Sequence, residues 1–298
     1  MRFAVAIARL AGARLVIVAV DVGNRPLAVS AGQTLPYAVE LADADLVADG
    51  SDALAELEQE LEAEGVTAEY LKLPGDTAAR VLHETAETED AGLLVVGSPP
   101  RDPAERVLLG STAERLLHGS PCPITVVPHG WSGGGIETIG AAYADTPDGR
   151  EALRGAYALA RRAGATLRVL TVVKPRLVMY SETEAVIPPR PGKDYDHVVG
   201  EHRAQAEAAA RRAVAALAGE IPIEVDAFVG DPAEVLAELS GKLGLLVCGS
   251  RGYGPLRAVL LGSVSRQLVT EARCPVMVLP RGVESALESL LEETATAI

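Results

Sequence analysis

Gly249-Ser250-Arg251-Gly252-Tyr253-Gly254-Pro255, followed by Val259-Leu260-Leu261-Gly262-Ser263, has an earlier echo in Gly97-Ser98-Pro99-Pro100 and Val107-Leu108-Leu109-Gly110-Ser111. The matching residues lie 152 positions apart, and the same interval separates Cys122-Pro123 from Cys274-Pro275 and Ala11-Gly12-Ala13 from Ala163-Gly164-Ala165. Gly75-Asp76 and Gly230-Asp231 differ by 155, so small compensating insertions and deletions lie between them. A fixed interval over this much of the chain means two copies of one domain.

Working outward from the second loop, the apolar runs predict strands at 136–143, 166–173, 223–229, 245–249 and 275–279. Helices are predicted at 147–162, about 197–218, 231–240 and 263–271. Short Val- and Leu-rich runs that alternate with helices imply right-handed crossovers and a parallel sheet covered on both faces. The expected fold is therefore α/β, as two tandem doubly wound parallel-sheet domains. Ligands on such sheets bind beyond the carboxyl ends of the strands.

By the same interval, Met1 corresponds to Leu153, so the first copy lacks the counterpart of residues 136–152, a whole strand and its turn. Phe3 to Leu10 then reads as the tail of that copy's first helix. An upstream start that supplies the strand is the expectation, because an empty central slot leaves ladder groups unpaired. The expected organisation is a first domain over 1–129, a Gly-rich linker over 130–135, a second domain over 136–282 and a C-terminal amphipathic helix over 283–298. In that last segment Val283, Leu287, Leu290 and Leu291 recur at helical spacing. Two stretches, 21–45 and 174–196, break the repeat rhythm and read as surface excursions at the ligand edge.

Lys and Arg total 27 against 41 Asp and Glu, a net charge of −14 that repels phosphate backbones and argues against nucleic acid. One Trp, seven Tyr and two Phe leave little for base stacking. No run approaches the ~20 apolar residues of a membrane span, and a cytoplasmic location is expected. Cys122, Cys248 and Cys274 stand singly, without a C-x-x-C pair, and read as buried small hydrophobes.

The chemistry concentrates in the second loop. Small residues just after a strand let backbone N–H groups approach a ligand. A Gly-Ser pair opening a helix adds free N–H groups, a favourable dipole and a hydroxyl. Arg251 and Arg257 bring guanidinium groups that match phosphate oxygens. Each of these features also has a purely structural use, as a turn or a helix cap.

The spacing Gly249-x2-Gly252-x9-Gly262-Ser263 resembles the nucleotide loop of the universal stress protein family. Cys274-Pro275-Val276 and Gly230-Asp231-Pro232 are similar to that family too, and the likeness covers both copies. The resemblance implies an adenine nucleotide alpha hydrolase-like fold with strand order 3-2-1-4-5. It also implies ATP or a related adenine nucleotide as ligand, with or without Mg2+, and pairing of domains through the last strand, as an intramolecular pseudo-dimer or a homodimer. It brings no catalytic mechanism. Carried over by position, it assigns Gly249, Arg251, Gly252, Gly262, Ser263 and Val264 to phosphates and ribose, and Val172 to the border of adenine.

The family's first strand ends in Asp, whereas here Ala144 takes that place; a turn one residue shorter would present Asp145 instead. In the first copy Pro100 replaces the second Gly, and Pro99 and Pro100 remove two N–H donors. That copy is expected to be a nucleotide-free scaffold. The expected function is a stress-response regulator that binds adenine nucleotide in its second copy, the alternative being a nucleotide-independent scaffold. His83-Glu84, His197 with His202, and Gly130-Trp131-Ser132-Gly133-Gly134 lack the spacing of zinc or nucleophile sites. No positioned base for ATP hydrolysis is visible, although slow turnover stays open.

Overall fold

The computed structural model describes residues 1–22, 50–99, 110–174, 193–217, 219, 221–250 and 262–280. These form two compact units, one of residues 1–13 with 86–298 and one of residues 14–85.

The smaller unit holds β1 (Val16–Asp21), α2 (Gly50–Ala63), β2 (Glu69–Pro74) and most of α3 (Ala78–Thr88). Its strands pair in parallel from Val16↔Glu69 to Asp21↔Pro74. Ile17, Leu61, Val66, Ala79 and Val81 are buried in this unit.

The larger unit begins with α1 (Arg2–Ala11), the predicted helix tail. Its chain continues through β3 (Leu94–Gly97), α4 (Ser111–Leu117), β4 (Ile124–Val127), β5 (Thr138–Tyr143), α5 (Pro147–Ala163), β6 (Thr166–Val173), α6 (Lys193–Ala215), β7 (Ile223–Val229), α7 (Pro232–Leu239), β8 (Leu245–Gly249), α8 (Ser263–Glu271) and β9 (Val276–Leu279). The strands and helices expected between 136 and 279 are present, with ends that move by a few residues. The predicted helices over 197–218 and 231–240 run instead from Lys193 to Ala215 and from Pro232 to Leu239. Pro232 takes the first helical position because Asp231 caps it from outside, its carboxylate accepting from Ala233 N–H at 3.1 Å.

Seven strands make one sheet in the order β3-β4-β9-β8-β5-β6-β7. The five strands of the second copy thus lie third, second, first, fourth and fifth, all parallel. Among the described residues no strand joins β1 and β2 to this sheet, and β1-β2 stand as a sheet of two. Among the described residues the strands of the first copy thus fall in two sheets, β1 with β2 and β3 with β4.

Between β4 and β9 the pairing turns antiparallel, with Ile124↔Val278, Thr125↔Met277 and Val126↔Val276. Residues one repeat apart exchange places across this ladder, which makes Thr125 and Met277 the centre of a pseudo-twofold relation. Both are fully buried. The core of the unit runs under this sheet: Phe3, Ile7 and Ala11 of α1 join Ile139, Leu153, Leu159, Leu167, Leu245 and Met277 in one cluster. Helices α1 and α5 end alike, on Gly12 at φ 64° and Gly164 at φ 62°, a left-handed conformation that glycine adopts without penalty. Trp131, from the Gly-rich segment, lies edge-on to Phe3 with ring centroids 5.8 Å apart. No described helix is long and apolar enough to cross a membrane. The C-terminal segment 283–298 and nearly all of the two excursions lie outside the described residues.

Candidate functional site

At the carboxyl edge of the second copy, β5 ends at Tyr143, β6 at Val173 and β8 at Gly249. The chain leaves β8 through Ser250, whose N–H is still held by the Leu279 carbonyl at 3.0 Å. It returns at Gly262, whose N–H donates to the Ser250 carbonyl at 2.7 Å. This bond closes the neck of the Gly-rich loop. Arg251 and Gly252 belong to the loop beyond the neck and lie outside the described residues.

Gly262 is the N-cap of α8 and has no side chain with which to cap the first turn. Ser263, the first helical residue, is exposed, and Val264 is half-buried. Ser265, one of the few buried polar residues, donates its hydroxyl to the Gly249 carbonyl at 2.7 Å. The helix start is thereby tied to the strand end and the two cannot drift apart. The only sequence signal for Ser265 is its place two residues into the helix, on the inward face.

Gly249 is required for packing. A Cβ there would stand 2.8 Å from both Cβ and the carbonyl oxygen of Asp148, which occupies the first turn of α5. Asp148 is itself buried, 5% exposed, and sequence reading missed it. Gly149 is equally confined: a Cβ would meet the Ala144 carbonyl oxygen at 2.0 Å. These two glycines let the start of α5 lie directly on the ends of β5 and β8.

The short turn after β5 is organised by Thr146, which accepts from Gly149 N–H at 3.1 Å as N-cap of α5. Asp145 is drawn to Arg150 in an ion pair and accepts from the Tyr143 hydroxyl at 3.3 Å. Burial is the main cause that raises the Tyr143 phenol, with the Asp145 charge second. Val172 lies one residue before the end of β6, in register with Phe228 of β7. Beside it, Lys174 bonds Asp231 at 2.6 Å and thereby joins the ends of β6 and β7. That hydrogen bond is the main reason the Asp231 carboxyl is held below its ordinary value.

The corresponding place in the first copy is built differently. Ser98 accepts from His129 N–H at 2.9 Å, and the Pro99 ring lies against Gly110, its Cδ 3.2 Å from where a Cβ on Gly110 would stand. Among the described residues nothing lies within 4 Å of such a Cβ on Gly97. Pro100 lies outside the described residues. No group of three His, Cys, Asp or Glu side chains that could hold a metal occurs among the described residues. His197 pairs with Glu201 at 3.3 Å along α6. All three cysteines are free and buried, and burial pushes Cys122 up to about 11 and Cys248 and Cys274 up to about 12.

Comparison with known proteins matches residues 1–128 and 135–280 to the universal stress protein family. A universal stress protein of Mycobacterium tuberculosis is 29% identical over 234 residues, 73% of this chain and 74% of the relative. One of Methanocaldococcus jannaschii is 36% identical over 88 residues, 30% of this chain and 51% of that protein. Among solved structures, a universal stress protein of Archaeoglobus fulgidus superposes with a TM-score of 0.57 at 21% identity, covering 94% of this chain and 92% of that one. A functionally unknown protein of Pseudomonas aeruginosa also gives 0.57, at 18% identity, over 97% and 89%. At these identities the structures speak for the fold.

Proposed function

Because this chain belongs to the universal stress protein family, we propose that it is a cytoplasmic stress-response regulator whose second copy binds ATP or a related adenine nucleotide. The observation that supports this reading is the closed neck, Gly262 N–H on the Ser250 carbonyl at 2.7 Å, which joins the two ends of a Gly-rich loop at a helix start without a side-chain cap. Free N–H groups at such a start, together with the helix dipole, suit a phosphate. Gly249, Gly262, Ser263 and Val264 would hold phosphate and ribose from described positions, and Arg251 and Gly252 would do so from the loop. Val172 and Asp145 would border the base.

The bound group supplies charge and shape for recognition by partners, with or without Mg2+, and hydrolysis is not part of the proposal. The first copy, with Pro99 seated against Gly110, serves as the nucleotide-free half of a pseudo-dimer joined through β4 and β9. The proposed domain limits are those of the repeat, 1–129 and 136–282, with 130–135 as linker. A nucleotide-independent scaffold is favoured by one observation: Asp145 is already engaged by Arg150 and Tyr143. Calorimetric titration with ATP separates the two readings. One site per chain, weakened by Gly252→Ala and by Ser263→Ala, is expected; two equal sites, or none, would overturn the proposal.

A further inference from the structure

Between the edge strand β7 and helix α7 lies a groove of about 560 Å³. That is the size of a small-ligand site, for which ~300–1,000 Å³ is usual. Its apolar wall is made by Phe228 and Val229, the last residues of β7, with Val235 and Leu239 of α7. Val229 is 40% exposed, and among the described residues only Met1 and Val22 are large apolar side chains as open to water. Those two lie outside the strands, whereas Val229 is held in the sheet opposite Val173 of β6. The exposed apolar surface of the groove is therefore fixed in place.

The rest of the lining is charged. A short 3-10 turn, Ser240–Lys242, follows α7 and brings Lys242 to the same groove as Arg273, which precedes β9. Ser240 fixes this meeting: it is fully buried, its hydroxyl donates to the Ala237 carbonyl at 2.6 Å and accepts from Arg273 N–H at 2.8 Å. Gly241 leaves room for the arginine stem, since a Cβ there would stand 3.3 Å from Arg273 Cδ. Elsewhere in this unit Arg168, Lys174 and Arg266 each hold a carboxylate. Lys242 and Arg273 have no carboxylate within 4 Å among the described residues. Glu238 is the one acid on the lining. Two cations against one acid leave a single positive charge in excess, in a chain whose net charge is −14.

We propose that this groove binds an amphipathic monoanion, a carboxylate on an unbranched acyl chain. Its head lies between Lys242 and Arg273, and its chain runs along the apolar wall. One excess positive charge matches a carboxylate rather than a phosphate dianion, and a guanidinium fork beside an ammonium can take both carboxylate oxygens. Apart from Phe228 the apolar wall is aliphatic and offers no side-chain hydrogen bond, so it reads no base edge and suits a flexible chain. None of the residues assigned to the nucleotide lines this groove, and the inference stands apart from that reading.

The probe is sodium decanoate below its micelle concentration, titrated calorimetrically into the intact protein while backbone amide shifts locate the site. One site per chain is expected, with shifts at Phe228, Val235 and Leu239. Decanol and acetate, the chain and the head taken singly, are expected to bind about tenfold more weakly or worse. The double variant Lys242→Gln, Arg273→Gln is expected to weaken decanoate about tenfold or more and to leave the weak binding of decanol unchanged. Both side chains are exposed, so the variant keeps its fold, and an unchanged melting temperature checks this. The proposal is overturned by no saturable binding, by decanol or acetate binding as tightly as decanoate, by full affinity in the double variant, or by shifts confined to the loop neck at Gly262.

Discussion

Glu114 and Arg266 are joined at 2.8 Å although they occupy the same place in the two copies, 152 residues apart. The Arg162 guanidinium bonds the Leu10 carbonyl at 2.9 Å across the same interval. Contacts between equivalent positions arise only near a twofold relation, so these two pairs and the centred ladder at Thr125 and Met277 report one pseudo-twofold. Both partners of the first pair are solvent-accessible, at 35% and 61%, and screening keeps such pairs weak. A double-mutant cycle with Glu114→Gln and Arg266→Gln in chemical denaturation should give a coupling of about 0.2–1 kcal/mol. A coupling above about 2 kcal/mol would mean that the pair is far better shielded than its exposure indicates.

Gly249 and Gly97 test whether the two copies have diverged in packing. Gly249→Ala drives a Cβ into the backbone and Cβ of Asp148 at 2.8 Å, so the first turn of α5 must move. A loss of about 1–3 kcal/mol is expected, together with weaker ATP binding. Gly97→Ala meets nothing within 4 Å among the described residues and should stay within about 0.5 kcal/mol of the parent. Equal costs at the two sites in urea denaturation would refute the difference.

The Lys174 bond to Asp231 carries a pH signature. A carboxyl whose folded-state pKa lies below its ordinary 3.8 contributes stability that is full above that value and is lost as pH falls through the folded one. Lys174→Met should therefore cost stability at neutral pH, with the gap to the parent narrowing from about pH 4 downward. Asp231→Asn keeps a good N-cap and should resemble Lys174→Met, whereas Asp231→Ala loses the cap too and should cost about 0.5–2 kcal/mol more. Denaturation midpoints for the four proteins between neutral and acid pH check the order; a gap that widens in acid would contradict it.

Thiol reactivity reads the core. With Cys122 pushed up to about 11, and Cys248 and Cys274 to about 12, the thiolate fraction at pH 8 is about one in a thousand or less. All three side chains are also enclosed. Ellman's reagent should find essentially no thiol in the native protein at pH 8 and all three after unfolding in guanidinium. Prompt reaction of Cys248 in the native state would place an opening under the candidate site, where its neighbour Ser265 ties the loop neck.

The sequence by itself determined the repeat, the α/β class and the position of nearly every element of the second copy, because hydrophobic period and turn chemistry are local properties. It also marked the proline-altered first loop. The tertiary structure decided which residues touch. Nothing in the order of residues announces that Asp148 backs Gly249, since that contact depends on a helix start and a strand end about a hundred positions apart settling within van der Waals distance. Nor could composition tell that Ser265 ties α8 to β8, or that Asp145 turns to Arg150. The seam is divided between the two: the resemblance implied pairing through the last strand, but not its register. Ile124 to Val127 and Val276 to Leu279 read as ordinary buried strands. That they meet antiparallel about Thr125 and Met277 follows from apolar strand edges and faces closing on each other, a choice made only when both copies are folded.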